Sequence, residues 1–449
     1  MYTNYGSLFT DPAYAREYES YFLDPSRDVL KYAFKSKMSV RPLAGREQIP
    51  PEQIPAKYPA LLESLTGSTG IYIHVPFCKT KCLYCGFAGE TPNDTLSRAY
   101  IKALIKEAEY LSGFAAVRNA PVRVIYFGGG TPSALPPDAL AELLATLRNK
   151  FNLANDCEIT LEARVSDMDK ARQFIDCGFS RFSLGVQSFN TKIRRLVGRL
   201  NTQEETLDLL ERLIKLDRAA VIIDLIYGLP NQSTDDFIED LKTARELGVD
   251  GLDTYQLSVF PSSKLAQAIE AGKIMPAADS TQLGAYYVAA NEYLLGRHTR
   301  QLSNNHYAFT NRERNIYNSW VKSGNSFIAL GAGAGGSING FSSYRTPVAS
   351  KYIEQAEQDL FVPEMLTLPS LNRDLQALVA EQMERGFLYY EELCVKANLE
   401  PECMQKVLHN WAQCGLVALD SGRLELTPAG KFWYVNLMQA VNNILYMQQ

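Results

Sequence analysis

Long apolar runs are missing from this sequence. No stretch of about 18 uncharged apolar residues occurs, which leaves no candidate membrane-spanning helix. The opening residues, MYTNYGSLFTDPAYAREYES, hold no basic segment followed by an apolar run, so a cleavable leader is not expected. Cysteine is scarce, with eight in 449 residues. That is too sparse for a disulfide scaffold, and the expected compartment is the reducing cytoplasm. Charge of either sign is nearly balanced, 45 Lys+Arg against 50 Asp+Glu for a net −5, so there is no overall footprint for nucleic acid. Only four histidines occur, few enough to weigh one by one. What is present is an ordinary apolar share of 46% with 21% charged residues, typical of a globular protein. The length suits two or three domains and a large buried core.

Three of the cysteines fall together in HVPFCKTKCLYCGF (74–87), where Cys78, Cys82 and Cys85 are spaced C-x3-C-x2-C. Three cysteines cannot all pair as disulfides in so short a loop, and their spacing lacks the periodicity of buried structural positions. No second Cys or His pair follows at the distance a structural zinc site needs. Three thiolates in one tight loop can hold three irons of a cubic iron–sulfur cluster and leave the fourth iron open for chemistry. The other five, Cys157, Cys177, Cys394, Cys403 and Cys414, lie in apolar or amphipathic surroundings and read as small core residues.

From residue 71 a rhythm of short apolar runs and amphipathic stretches begins. The strand candidates are IYIHV (71–75), VRVIYF (122–127), CEITLEA (157–163), RFSLGV (181–186), AVIIDLIY (220–227) and GLDTYQLSV (251–259). Between them, YIKALIKEAEYL (100–111) and TLDLLERLIKL (206–216) repeat apolar residues at helical spacing. Alternating strands and helices predict an α/β fold with parallel pairing, a complete or partial β/α barrel. In such folds chemistry gathers in the loops that follow the strands, and the cysteine loop directly follows the first strand. Residues 1–70 lack this rhythm and read as an N-terminal extension. It carries Lys31, Lys35, Lys37, Arg41 and Arg46, either a solvated segment packed on the barrel or a set of cations for a polycarboxylate. Residues 71–365 form the barrel with a glycine-rich accessory segment. Residues 366–449 predict helices, then a hairpin turning at Asp420-Ser421-Gly422, a winged-helix-like α+β domain expected to pack on the barrel rather than bind DNA.

The second strand ends in FGGGTPS (127–133). Gly129 and Gly130 let backbone approach a ligand and offer amide donors, and Thr131 adds a hydroxyl. A glycine run alone is weak evidence, and the Gly-Lys-Ser/Thr ending of a phosphate-binding loop is missing. Glu162 and Gln187 end the third and fourth strands, and Asp224 interrupts the otherwise apolar fifth. Charge in a buried strand is costly without a partner. The partner is either a salt bridge, with Arg164 or Arg199, or a ligand's hydroxyls or ammonium.

The stretches YIHVPFCKTKCLYCGF, YFGGGTPS, LEAR, LGVQSFNTKIRRLVGR and DLIYGLP, in this order over residues 71–230, resemble the radical S-adenosylmethionine enzymes. The likeness is narrower to the superfamily of oxygen-independent coproporphyrinogen dehydrogenase. The resemblance implies a partial radical-SAM barrel in which Cys78, Cys82 and Cys85 ligate a 4Fe–4S cluster. The unique iron would bind S-adenosylmethionine, and one electron, from a flavodoxin- or flavin-type donor, would cleave the sulfonium to a 5′-deoxyadenosyl radical. It further assigns Tyr72, Phe87, Gly129, Gly130, Thr131, Glu162, Gln187, Arg199, Asp224 and Ser258 to binding one or two S-adenosylmethionine molecules.

The decarboxylating members carry C-G-C at the end of the cysteine motif, whereas Cys85-Gly86 is followed here by Phe87. The haem-chaperone relatives carry a histidine where Arg314 stands. The string HYAFTNRERNIYN (306–318), the N-terminal extension and the winged-helix-like tail look most like the haem-utilisation branch. This resemblance implies anaerobic opening of haem with methyl transfer from S-adenosylmethionine and release of iron. A porphyrinogen decarboxylase and a non-catalytic haem carrier are the alternatives. Among the histidines, His74 reads as a core or hydrogen-bonding partner beside the cysteines, and His298 and His409 as surface or packing residues. His306 either caps a turn or meets the haem iron or a meso carbon. Arg312 and Arg314 are the candidates for the haem propionates, since guanidinium pairs carboxylates bidentately.

Overall fold

The computed structural model describes residues 12–38, 47–86 and 89–447. Strands form where the apolar runs place them: β1 (Thr69–Val75), β2 (Val122–Gly129), β3 (Leu153–Ala163), β4 (Arg181–Gln187), β5 (Ala220–Tyr227) and β6 (Gly251–Gln256). Each pairs in parallel with the next. The runs are nearly unbroken because both faces are covered; Ile71, Ile73, Ile125, Leu161, Leu184, Ile223 and Leu225 belong to one core shared with the helices. Among those helices, Asp94–Ser112 is capped by Asn93, which accepts from Leu96 N, and buries Ile101, Leu104 and Leu111. Gln203–Lys215 opens with a reciprocal Thr202/Glu205 capping box, which satisfies two orphan amides at once.

Further short strands complete the sheet: β7 (Arg300–Ser303), β8 (His306–Ala308), β9 (Phe327–Leu330), β10 (Gly335–Ile338), β11 (Phe341–Tyr344) and β12 (Met365–Thr367). The order is β12-β11-β10-β9-β1-β2-β3-β4-β5-β6-β8-β7, an open, partial barrel with β9 parallel to β1 and β8 antiparallel to β6. The sixth strand is shorter than its sequence suggests and stops at Gln256; Leu257 N still bonds to Tyr227 O, at 3.0 Å, and the chain then turns away. The glycine-rich segment is held behind the cysteine loop by a buried network. Glu107 pairs with Arg345 and accepts from Gly331 N at 3.0 Å and Tyr352 Oη at 2.6 Å. Gly331, at φ +100°, cannot be replaced cheaply, since a Cβ would meet His74 O at 2.5 Å.

The C-terminal part holds a separate antiparallel sheet in the order β13-β15-β14, from β13 (Phe387–Tyr389), β14 (Val417–Asp420) and β15 (Arg423–Leu426). It packs with the helices Arg373–Glu384, Tyr390–Ala397 and Pro401–Gln413 in a winged-helix-like arrangement. The hairpin turns where the sequence places it, with Ser421 and Gly422 both at positive φ, the geometry that suits a tight two-strand turn. Residues 12–38 pack on the barrel, where Leu30 lies against Gly284 of the helix Ser280–Leu295, and on this module as well. Leu23 N donates to Asn410 Oδ1 at 2.7 Å, Trp411 Nε1 to Tyr21 O at 2.9 Å and Trp433 Nε1 to Val29 O at 3.0 Å. Lys37 lies over the Phe432 ring at 4.6 Å, and burial lowers its pKa to about 8. Arg41 and Arg46 fall outside the described residues.

Candidate active site

Side chains alternate along a strand, so every second residue of the parallel strands faces the inside of the open barrel. Those positions are Tyr72 and His74 on β1, Tyr126 on β2, Glu162 on β3, Arg181, Ser183, Gly185 and Gln187 on β4, Asp224 and Ile226 on β5, and Asp253 and Tyr255 on β6. All of them line one cavity of about 540 Å³, together with Cys78, Cys82, Cys85, Gly129, Gly130, Thr131, Arg164 and Arg199 from the loops at the strand ends.

The cysteine loop is tied down by backbone bonds from Cys78 N to Glu90 O at 3.1 Å, Leu83 N to Val197 O at 3.2 Å and Leu265 N to Leu83 O at 2.9 Å. Cys78 Sγ lies 3.2 Å from Thr131 Oγ1. The Arg164 guanidinium bonds to the hydroxyl and carbonyl of Thr80 and passes 3.8 Å from Cys82 Sγ. Among the described residues no three His, Cys, Asp or Glu side chains converge to hold a single metal ion. The glycine loop is pressed close beneath. A Cβ on Gly129, at φ +110°, would meet the His74 ring at 2.7 Å, and one on Gly130 would meet Phe77 O at 2.6 Å. Burial lowers the His74 pKa to about 4, so it is neutral, with Nδ1 2.9 Å from Tyr72 Oη.

Acidic side chains run across the inner face. Glu162 accepts from Tyr126 Oη at 2.8 Å and from Gly129 N at 3.1 Å, and burial raises its pKa. Asp224 has a single long contact, Ser183 Oγ at 3.4 Å. Burial, then the charges of Asp253 and Glu162, lift its pKa to about 7. Gln187 adopts φ +73° at a break in the β4–β5 register, a strained conformation for a residue with a Cβ. Buried atoms remain without protein partners here, among them Gln187 Oε1 and Arg199 Nε. Native interiors leave few such atoms unpaired unless a ligand completes them.

The profile of the Radical SAM superfamily matches residues 72–244. Over 418 residues, 92% of the chain and 93% of the relative, the chain is 35% identical to the anaerobilin synthase of Escherichia coli O157:H7. The chain belongs to the radical SAM superfamily. It is also 26% identical to the oxygen-independent coproporphyrinogen III oxidase of Pseudomonas aeruginosa, with 80% of this chain and 82% of that one covered. Among solved structures, the radical SAM coproporphyrinogen III oxidase of Escherichia coli aligns with a TM-score of 0.73 at 22% identity, covering 86% of this chain and 92% of that one. That likeness is one of fold. A radical SAM enzyme uses a 4Fe–4S cluster and S-adenosylmethionine. The cavity suits both, with three thiols on one wall, a glycine floor that only hydrogen can line, and unpartnered buried polar atoms opposite.

Into this radical SAM cavity the fold brings Cys78, Cys82 and Cys85, and with them Tyr72, Gly129, Gly130, Thr131, Glu162, Gln187, Arg199 and Asp224. Phe87 lies outside the described residues. Ser258 is half-buried beyond the end of β6 and is not on the cavity wall. Salt bridges from Glu162 or Asp224 to Arg164 or Arg199 do not form among the described residues; Arg164 is spent on Thr80, and Arg199 reaches Tyr84 Oη at 3.4 Å. The structure corrects the placement of Arg312 and Arg314. Arg312 bonds to Asp217 Oδ1 at 2.6 Å, just before β5, and Arg314 lies 3.7 Å from Asp156 Oδ2 and 3.6 Å from Glu158 Oε2, early in β3. Both stand at the N-terminal ends of parallel strands, whereas the cysteines sit at the C-terminal ends.

His306 is corrected too. It is 1% exposed, with Nδ1 2.7 Å from Asp253 Oδ1 and Nε2 2.9 Å from Glu313 Oε1, so neither ring nitrogen is open to a metal. Burial opposes its charge, but Asp253 and Glu313 outweigh it and raise the pKa to about 9. Glu313 is held down at about 2 despite its burial, by Arg181 and His306. Sequence reasoning missed Asp253, Arg181, Tyr126 and Tyr317, all of which line the cavity. Strand parity would have found the first three. Tyr317, stacked on Tyr126 at 4.2 Å, comes from the short helix Ile316–Lys322, outside the strands, and left no such signal.

Proposed function

We propose that this protein opens haem in the absence of oxygen, using S-adenosylmethionine as methyl source and releasing iron with a linear tetrapyrrole. The near end-to-end similarity to an anaerobilin synthase carries the reading. The mouth of the cavity supports it. Tyr255 on the cavity wall is 42% exposed and Phe260, beside Cys85, is 47% exposed, apolar surface suited to a flat macrocycle. Beside Cys85, a recess of about 370 Å³ puts Lys81 and Lys264 next to Phe260, cations fit for propionates in place of Arg312 and Arg314.

In this reading Cys78, Cys82 and Cys85 hold the cluster, and Tyr72, Gly129, Gly130, Thr131, Glu162, Gln187, Arg199 and Asp224 hold S-adenosylmethionine. When bound, the cluster supplies the electron for reductive cleavage of the sulfonium. Arg199 and Gln187 present their unpartnered atoms to the cofactor, the glycine floor admits it closely, and the stacked Tyr72, Tyr126 and Tyr317 rings keep water from one side. A flavodoxin- or flavin-type protein donates the electron, and the reducing cytoplasm is the setting. No described helix is long and apolar enough to cross a membrane.

The test is an anaerobic incubation with haem, a reductant and methyl-labelled S-adenosylmethionine. The expected result is loss of the Soret band, free iron, and a linear product carrying the label. Haem recovered intact after many turnovers of deoxyadenosine formation would overturn the reading in favour of a carrier. Carbon dioxide released from coproporphyrinogen, with haem untouched, would overturn it in favour of a decarboxylase.

A further inference from the structure

Arg194 is a buried cation without a carboxylate to pair with. It is 2% exposed, comes from the short helix Thr191–Leu196, and forms no salt bridge among the described residues. Its guanidinium bonds instead to three main-chain carbonyls. Nη1 donates to Val186 O at 2.7 Å and to Ser188 O at 2.8 Å, and Nε donates to Asn201 O at 2.8 Å. Burying an unpaired guanidinium is costly, so a fold that keeps one there gains something from those bonds. Val186 and Ser188 stand on either side of Gln187, and Asn201 lies two residues beyond Arg199. We propose that Arg194 is the positioning residue for the polar pair Gln187 and Arg199: it holds the bend that aims Gln187 into the cavity and staples that bend to the segment carrying Arg199.

The proposal rests on the reading above that Gln187 and Arg199 hold S-adenosylmethionine. Gln187 stands at φ +73° where the β4–β5 register breaks, and a residue with a Cβ does not settle there unaided. Clamping the carbonyls of the residues before and after it keeps the bend in place. Asp240, itself 3% exposed, completes the turn by accepting from Phe189 N at 2.7 Å. The main-chain carbonyl of Arg194 also accepts from Arg199 N at 2.9 Å. One residue thus holds both partners, Gln187 through its side chain and Arg199 through its backbone. The two side chains meet over Gly185, where an added Cβ would stand 2.6 Å from Gln187 Nε2 and 3.0 Å from Arg199 Nη2. Each leaves a buried atom unpartnered. Arg194 is not on the cavity wall, so its influence on a ligand passes through the pair. A lysine in its place keeps the charge but has one donor centre on a flexible stem, and cannot reproduce the fork.

The test is a double-mutant cycle on S-adenosylmethionine binding, measured by anaerobic isothermal titration of the cluster-loaded protein. Arg194→Lys should weaken binding about tenfold or more, with iron and sulfide content at the wild-type level. In a Gln187→Ala background the same change should weaken it about threefold or less, because the group it positions is gone. A general structural role would give equal losses on both backgrounds, and that equality overturns the proposal. An unaltered dissociation constant in Arg194→Lys, with Gln187→Ala weakened, overturns the proposal alone. A wild-type dissociation constant in Gln187→Ala overturns the cofactor assignment of Gln187 and the proposal with it. Hydrogen exchange on the protein without S-adenosylmethionine decides the case in which Arg194→Lys no longer loads its cluster. Faster exchange confined to residues 186–201 is the expected result, and loosening spread over β3, β5 and β6 overturns the proposal.

Discussion

Replacing Gly185 with alanine adds one methyl group to the cavity wall and changes no charge. Its backbone is outside the left-handed region, so the strand accepts the substitution. The new Cβ, however, would stand 2.6 Å from Gln187 Nε2 and 3.0 Å from Arg199 Nη2. Both are ends of long side chains, and they must swing away. These are the two residues whose buried Oε1 and Nε lack protein partners. If those atoms complete S-adenosylmethionine, the variant loses a charge-assisted hydrogen bond of roughly 1.5–3 kcal/mol and a neutral one of roughly 0.5–1.5 kcal/mol. Together they amount to about 2–4.5 kcal/mol, or about 30- to 1,600-fold weaker binding. Anaerobic isothermal titration of the cluster-loaded protein with S-adenosylmethionine measures this directly. Iron and sulfide content and the melting temperature serve as controls and should match the wild type. An unchanged dissociation constant with those controls intact would refute the assignment of Gln187 and Arg199, and with it the reading of their unpartnered atoms.

Alanine at Cys78, Cys82 or Cys85 should abolish iron and sulfide loading on anaerobic reconstitution, while Cys394→Ala, far along the chain in the C-terminal module's core, should load fully; full loading of the triple variant would remove the basis of the site. Stability should fall on the alkaline side through His306, whose pKa rises from 6.5 to about 9 on folding. Its contribution is complete below about pH 6.5, is lost as the pH climbs through about 9, and is of order 3 kcal/mol. Urea denaturation at acid and alkaline pH should show this limb in the wild type and a flatter profile in His306→Gln.

How far the sequence could be read depended on whether a signal was local. The apolar runs of β1, β2 and β5 are buried on both faces and long enough to stand out. The three- and four-residue strands from β7 to β12 are too short for a period of two to show. The cysteines and glycines were legible because their chemistry is tied to spacing within a loop. Arg312 and Arg314 misled for the opposite reason. A guanidinium advertises affinity for carboxylates, and here the carboxylates are the protein's own, Asp217, Asp156 and Glu158 at the far end of the barrel. Asp253 was hidden only in part. Its strand was recognised, and its inward face followed from the parity that places Tyr255 on the same wall. What sequence could not supply was its partner, since His306 reaches it from β8 across a long excursion of chain.

The clasp between residues 12–38 and the C-terminal module bears on the order in which the molecule can be made. Leu23 is separated by 387 residues from Asn410, and Met38 by 398 from Asn436. At ribosomal speeds of about 5–20 residues per second, the first partner waits roughly 20–80 s for the second. During that interval Tyr18 and Tyr21, buried in the finished fold, have only neighbours in their own segment, Phe22 and Glu17, to cover them. The parallel strands and their helices emerge in order and can assemble as they appear. The segment translated ahead of them is among the last to find its place, and until then it offers a nascent-chain chaperone its most lasting target.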